Sequence, residues 1–172
     1  MISLGLDVSA TSTGMVFVQL SAPAPKPNVI LHKTICPKTR GMERCSDVAC
    51  EILPPVQQYK PERVVVEGYA GRFKASLIPL IEVGTVVRYF LRQLGYRWLE
   101  PAPTQVKKFV LGTGVGEKSL VMQQVLKRWA FEAPNDDIAD AFALGCIGLG
   151  HAGLLTGLTQ PMIEVIGGLK MQ

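Results

Sequence analysis

Residues 133–147, APNDDIADAFALGCI, combine two properties that few folds can reconcile. The Ala, Ile, Leu and Phe content reads as a helix made for a protein interior. Yet the segment opens with Asp136 and Asp137 and carries Asp140 one turn further in. A carboxylate facing an apolar core costs on the order of several kcal/mol, or takes up a proton, unless something positive meets it. The i, i+3 spacing puts Asp137 and Asp140 on one face of the helix near its start. The chain must therefore bury this helix while delivering two acids to a place that neutralises them.

Two more acids stand at the ends of apolar runs. ISLGLDVS and TGMVFVQL, separated by a short Ser/Thr turn, read as a β-hairpin, and Asp7 sits at the end of its first strand. VILHKTI is a third strand. RVVVEG is a continuous β-branched run, as in a strand covered on both faces, and Glu67 closes it. Helices are expected at 42–59, where Pro54-Pro55 should kink or end the helix, and from about Ser76 to Leu94. YRWLEPA reads as a further short strand. TQVKKFVLG, the glycine-rich GTGVG, the helix EKSLVMQQVLKRWAF and the long final helix follow. The tail after Gly157 offers only a short helix starting at Pro161. Hairpin strands followed by strands alternating with helices predict an α/β fold: a mixed sheet of three antiparallel N-terminal strands plus parallel strands, with helices on both faces. With 172 residues, no repeat and no long linker, the chain reads as one domain over 1–172, its core at about 2–155 and a short tail at 156–172.

In helix 76–94 the polar residues Glu82, Thr85, Arg88 and Arg92 make one narrow stripe, which leaves most of the circumference apolar. An ordinary surface helix has one apolar face. The second apolar face suits contact with another copy of the chain, so a homodimer is expected.

Charge is distributed unevenly. Residues 60–130 hold 12 of the 18 Lys and Arg but only 5 acids, beside the Asp136/Asp137/Asp140 cluster, which suits a polyanion-binding surface next to an acidic pocket. Solvated basic helices would give the same count. Cys36, Cys45, Cys50 and Cys146 show no CxxC pairing, which reads as free thiols in a reducing compartment and not as a zinc site. The N-terminus lacks the features of a secretory signal, and the apolar stretch 138–155 contains Asp140, four glycines and His151. A cytoplasmic protein without membrane or small-molecule partners is the expectation.

If strands one and four are neighbours, Asp7 and Glu67 lie side by side, and a helix across that edge brings Asp137 and Asp140 to them. Four ionised carboxylates share a small site only when cations neutralise them. Hard oxygen ligands select Mg²⁺ or Mn²⁺. Two such ions roughly 4 Å apart form the clamp that hydrolyses phosphodiesters by in-line attack. Taken singly, each acid has a plainer alternative. Asp7 could stabilise the turn with Ser9, Thr11 and Thr13, Glu67 could pair with Arg63 or Lys74, and Asp136 or Asp137 could cap the last helix. Their co-occurrence, each at an element's end, favours a metal site, with Asp136 left as a cap or outer neighbour.

The blocks GLDVSATSTG, VVVEGY, PTQVKKFVLGTGVGEKSLV and DIADAFALG, in this order over about residues 2–150, resemble the RuvC-type Holliday-junction resolvases of the ribonuclease H-like superfamily. The resemblance implies that Asp7, Glu67, Asp137 and Asp140 bind two Mg²⁺ ions, with Mn²⁺ able to substitute, and form the catalytic set together with Lys118. It implies that Lys107 and Lys118 approach phosphates, the glycine-rich loop offering free N–H groups nearby. Tyr69, or Phe73 in its place, falls where the family has an aromatic near the branch point, a position suited to base stacking and equally to core packing. Arg72 and Lys74 in the same loop complete the expected DNA contacts. The chain departs from the family in having Val8-Ser9 where cellular members usually have Pro-Gly, and in the loop GYAGRFKAS, which suits a divergent, bacteriophage-encoded member.

The activity so implied is a homodimeric, metal-dependent endonuclease that nicks two strands of like polarity in a four-way DNA junction and leaves 5′-phosphate and 3′-hydroxyl ends. The alternatives are a less selective nuclease for flaps and forks, a non-catalytic junction-binding module, and a kinase lobe. The last arises because GLDVSATSTG is also similar to the first phosphate loop of sugar and acetate kinases, which need two such lobes.

Overall fold

A computed structural model describes residues 1–69 and 77–172, with the side chain of Lys118 outside the described atoms. Alternation along β1 (Ile2–Asp7) divides the interior in two. Leu4 and Leu6 join Met15 and Phe17 of β2 (Thr13–Gln19) and Val64 and Val66 of β4 (Arg63–Val66) in one core. That core is closed by α1 (Gly41–Tyr59) and α2 (Leu77–Gln93). On the opposite face Val16, Val18 and Val65 pack under α3 (Pro103–Leu111), α4 (Lys118–Trp129), α5 (Asp136–His151) and α6 (Gln160–Gly167). Helices thus cover both faces, as expected.

The described residues form a four-stranded sheet in the order β3-β2-β1-β4, with β3 spanning Asn28–Ile35. The first three strands are antiparallel and β4 runs parallel to β1. The β1–β4 register ends at Leu6 opposite Val66, so Asp7 and Glu67 emerge at one level. The Glu67 N–H donates to Leu6 O at 2.9 Å.

Two expectations need correction. YRWLEPA does not form a strand. It touches the sheet through a bridge at Leu99, whose N–H donates to Val64 O and whose carbonyl accepts from Val66 N–H, both at 3.0 Å. Pro101 and Pro103 follow at once and have no N–H to extend a ladder. Nor do Pro54 and Pro55 end α1, which runs through them to Tyr59. Buried Ile52 and Val56 hold its last turns against the sheet on either side of the proline pair. The helix stops at Lys60, in a left-handed conformation (φ 46°) with its N–H on Val56 O. Among the described residues no helix is long and apolar enough to cross a membrane.

Helix α5 is buried over most of its length, from Ile138 to Gly150 apart from Asp140. Full burial of side chains such as Phe142, Leu144 and Ile147 contributes about 1.5–3 kcal/mol each. It lies almost directly on the backbones of β1 and β2 because these lack side chains at two contact points. A Cβ on Gly5 would stand 1.9 Å from Ala141 O, and one on Gly14 would stand 2.1 Å from Asp137 O. We expect Gly5→Ala to lower the unfolding free energy by about 1–3 kcal/mol or more, as overpacking against backbone does. Urea denaturation checks it, and a change under about 0.5 kcal/mol would contradict this seating of α5.

Candidate active site

Asn135, in extended backbone, starts α5 by accepting the Ile138 N–H at 3.0 Å, and its Nδ2 donates to Thr34 Oγ1 of β3 at 2.9 Å. Asn135 is therefore the cap, a role the sequence reading offered to Asp136 or Asp137. Freed from capping, Asp137 accepts a hydrogen bond from the Ser12 hydroxyl of the β1–β2 turn. Asp136 and Asp137 also lie in the first turn of the helix, where the helix dipole favours negative charge.

Asp7, Glu67, Asp137 and Asp140 line one cavity of about 400 Å³ at the sheet edge. Ser9, Thr11 and Ser12 form part of its wall, and Pro103, Val106 and Lys107 of α3 form another. Asp7 registers all three neighbours. Burial, first, and then the charges of Glu67, Asp140 and Asp137 push its carboxyl well above the usual aspartate value, with the neighbouring Glu67 side chain adding to the rise.

Lys107 brings a positive charge to the rim, its Nζ donating to Gly116 O at 2.9 Å and tying α3 to the glycine-rich loop. Lys118 heads α4 just beyond that loop, its side chain outside the described residues. Lys108 points away into an exposed pair with Glu164 at 2.7 Å. Arg72, Phe73 and Lys74 lie outside the described residues. Tyr69 is described and 39% exposed, but it lines a neighbouring cavity with Gly68, Glu100 and Gln105 instead of the acidic one.

Among the described residues no three His, Cys, Asp or Glu side chains stand as a finished metal-ligand set. Asp7 lies beside Glu67 in this cavity, and Asp137 accepts from the Ser12 hydroxyl. The donors nonetheless suit a divalent ion: all are carboxylates, they line one cavity, and their mutual repulsion is what a cation would relieve.

Residues with no chemistry of their own complete the site, and the sequence reading passed over them. Gly14 admits Asp137, Ser12 binds it, and Asn135 starts its helix. Of these, only Asn135 had a readable signal, an Asn directly before an acidic first turn.

Comparison with known proteins gives a consistent result. Residues 3–148 match the family model described as crossover junction endodeoxyribonuclease RuvC. A protein of that name from Syntrophomonas wolfei is 30% identical over 147 residues, covering 82% of this chain and 84% of the relative. One from Synechococcus sp. strain WH7803 is 29% identical over 108 residues, covering 62% and 70%. The structure of T. thermophilus RuvC in complex with a Holliday junction substrate superposes with a TM-score of 0.78 at 21% identity, covering 100% of this chain and 99% of that one. At that identity the likeness speaks for the fold.

The raised Asp7 carboxyl sets a pH dependence. The native state holds this proton more tightly than the unfolded chain, so the group's contribution to stability falls as pH climbs from the ordinary value of 3.8 through the raised native one. In metal-free protein at pH 7–8, Asp7→Asn should therefore raise Tm, by roughly 2–4 °C per kcal/mol of repulsion relieved. Added Mg²⁺ is expected to stabilise the parent and to stabilise the variant less. Differential scanning calorimetry with and without chelator measures both, and a lower Tm without metal would contradict the repulsion.

Proposed function

The chain belongs to the RuvC family of crossover junction endodeoxyribonucleases, and on that premise we propose that it resolves four-way DNA junctions by paired, metal-dependent nicks in strands of like polarity. The observation that carries this reading is the meeting of Asp7, Glu67, Asp137 and Asp140 on one cavity rimmed by Lys107. Nucleases of this family are metal-dependent. We assign two Mg²⁺ ions, replaceable by Mn²⁺, to these four carboxylates. When bound, such ions orient and activate the attacking water and stabilise the leaving oxygen.

The chain's own residues do the rest. The carboxylates fix the ions against the sheet edge, Asp7 from β1, Glu67 beyond β4, and Asp137 and Asp140 from α5. Lys107 and Lys118 draw the phosphate toward them, and the backbone of the glycine-rich loop offers N–H donors to a neighbouring phosphate. Tyr69, with Phe73, Arg72 and Lys74 of the following segment, meets the DNA near its branch point. The products are nicked duplexes with 5′-phosphate and 3′-hydroxyl ends, without a covalent enzyme intermediate.

A junction has approximate two-fold symmetry, and two like nicks require two sites. The outward face of α2 suits that pairing. Ile78, Ile81 and Val86, with Met42 of α1, line an apolar groove of about 380 Å³, and Ile78 and Met42 are 54% and 74% exposed. We assign this face to a homodimer.

With Mg²⁺ and a synthetic four-way junction, the protein should make symmetric paired nicks and leave linear duplex uncut, whereas Asp140→Asn should bind the junction and lose cleavage by about 10²-fold or more. Denaturing gels and a mobility-shift assay read the two properties. Equal cutting of flaps and forks would point to a less selective branched-DNA nuclease, and full activity in the variant would overturn the carboxylate assignment.

A further inference from the structure

Arg88 stands in the polar stripe of α2, where the sequence suggests solvent, but its side chain is turned inward and only 11% exposed. One terminal nitrogen donates to the main-chain carbonyl of Glu67 at 2.8 Å and to Glu100 Oε1 at 3.0 Å. The other donates to the Tyr69 hydroxyl at 3.1 Å and to Gly84 O at 3.0 Å. The guanidinium also lies 4.5 Å from the centroid of the Tyr69 ring, a cation–π distance. Glu100 is fixed in turn, its second oxygen accepting from Trp98 Nε1 at 3.0 Å.

The space for this arrangement comes from Gly84. A Cβ there would stand 2.4 Å from the Tyr69 hydroxyl and 2.7 Å from the Arg88 nitrogen. Residues 67–69 leave the end of β4 without a flanking strand to hold them beyond Gly68, whose N–H donates to Pro101 O at 2.8 Å. Glu67 is referenced to α2 through this planar fork, and Tyr69 both through the fork and through its own hydroxyl, which donates to Ile81 O at 3.3 Å. The fork's charge is met by Glu100, so the Glu67 carboxylate stays turned to Asp7 and the cavity.

We propose that Arg88 is a positioning residue. By clamping the Glu67 carbonyl and the Tyr69 ring together against α2, it sets the direction from which Glu67 reaches the divalent ions and fixes Tyr69 beside the DNA path. The inference rests on the metal-dependent nuclease reading above and adds a residue to it. Lysine retains the charge but has no fork, so it cannot hold both ends at once.

The test compares parent, Arg88→Lys and Gly84→Ala, the last of which crowds the clamp with one methyl group and leaves every charge in place. Mn²⁺ affinity is measured by calorimetric titration of protein alone, and junction cleavage by single-turnover kinetics at saturating protein. Both variants should bind Mn²⁺ about 5-fold or more weakly and cleave about 10-fold or more slowly. The metal concentration for half-maximal rate should rise, while junction affinity in a metal-free mobility shift changes by less than about 3-fold. Unchanged Mn²⁺ affinity and rate in a folded variant would overturn the proposal, and Gly84→Ala decides it if Arg88→Lys does not fold. A parent that binds Mn²⁺ but cuts no junction would defeat the functional reading alone, since the clamp is still judged by the Mn²⁺ affinities.

Discussion

Like charges confined at the edge of a sheet dominate this molecule. Asp7, Glu67, Asp137 and Asp140 share one cavity, and the Asp7 carboxyl is raised by burial and by each of the other three. Nothing about the acids themselves would keep them together. They are held by a scaffold whose apolar burial exceeds their repulsion: α5 lies on β1 and β2 with its middle fully enclosed, and β4 is bonded alongside β1. The fold thus holds together an unfavourable arrangement of the kind a divalent cation would relieve.

Two close contacts give that scaffold its accuracy. Gly5 and Gly14 let α5 approach the strands at backbone distance, so Asp137 and Asp140 are placed by main-chain packing and not by long flexible side chains. Glu67 reaches the same cavity from the end of a short strand and depends on an indirect support, the Arg88 fork between α2, Glu100 and the 67–69 backbone. Because α2 also carries the apolar groove assigned to a second copy, one helix would serve both the two-fold axis and the placement of a ligand. Two active centres cutting a symmetric junction need that common reference.

Much of this was legible from the sequence because it follows from periodicity and from acids in unusual places. The three N-terminal strands, the buried run at 63–66 and the interior helix carrying Asp137 and Asp140 announce themselves by alternation or by length of apolar run. The neighbourhood of Asp7 and Glu67 followed once β1 and β4 were taken as adjacent. What the sequence hid were contacts made by residues of common type. The Ser12 hydroxyl on Asp137, or an arginine turned inward from a polar stripe, depends on pairings across more than a hundred residues or on a glycine whose role appears only beside its neighbour. YRWLEPA misled because its apolar content suits a strand, while the two prolines after Leu99 limit it to a bridge. Pro54-Pro55 misled for the opposite reason, tertiary packing of Ile52 and Val56 overriding a local breaker.

The central claim, that these four carboxylates together hold divalent ions, is tested most directly by crystals grown with Mn²⁺ and measured for the anomalous scattering of manganese. The account places manganese in the cavity, coordinated by oxygens of Asp7, Glu67, Asp137 and Asp140. Manganese bound elsewhere at saturation, with none coordinated by these carboxylates, would contradict it.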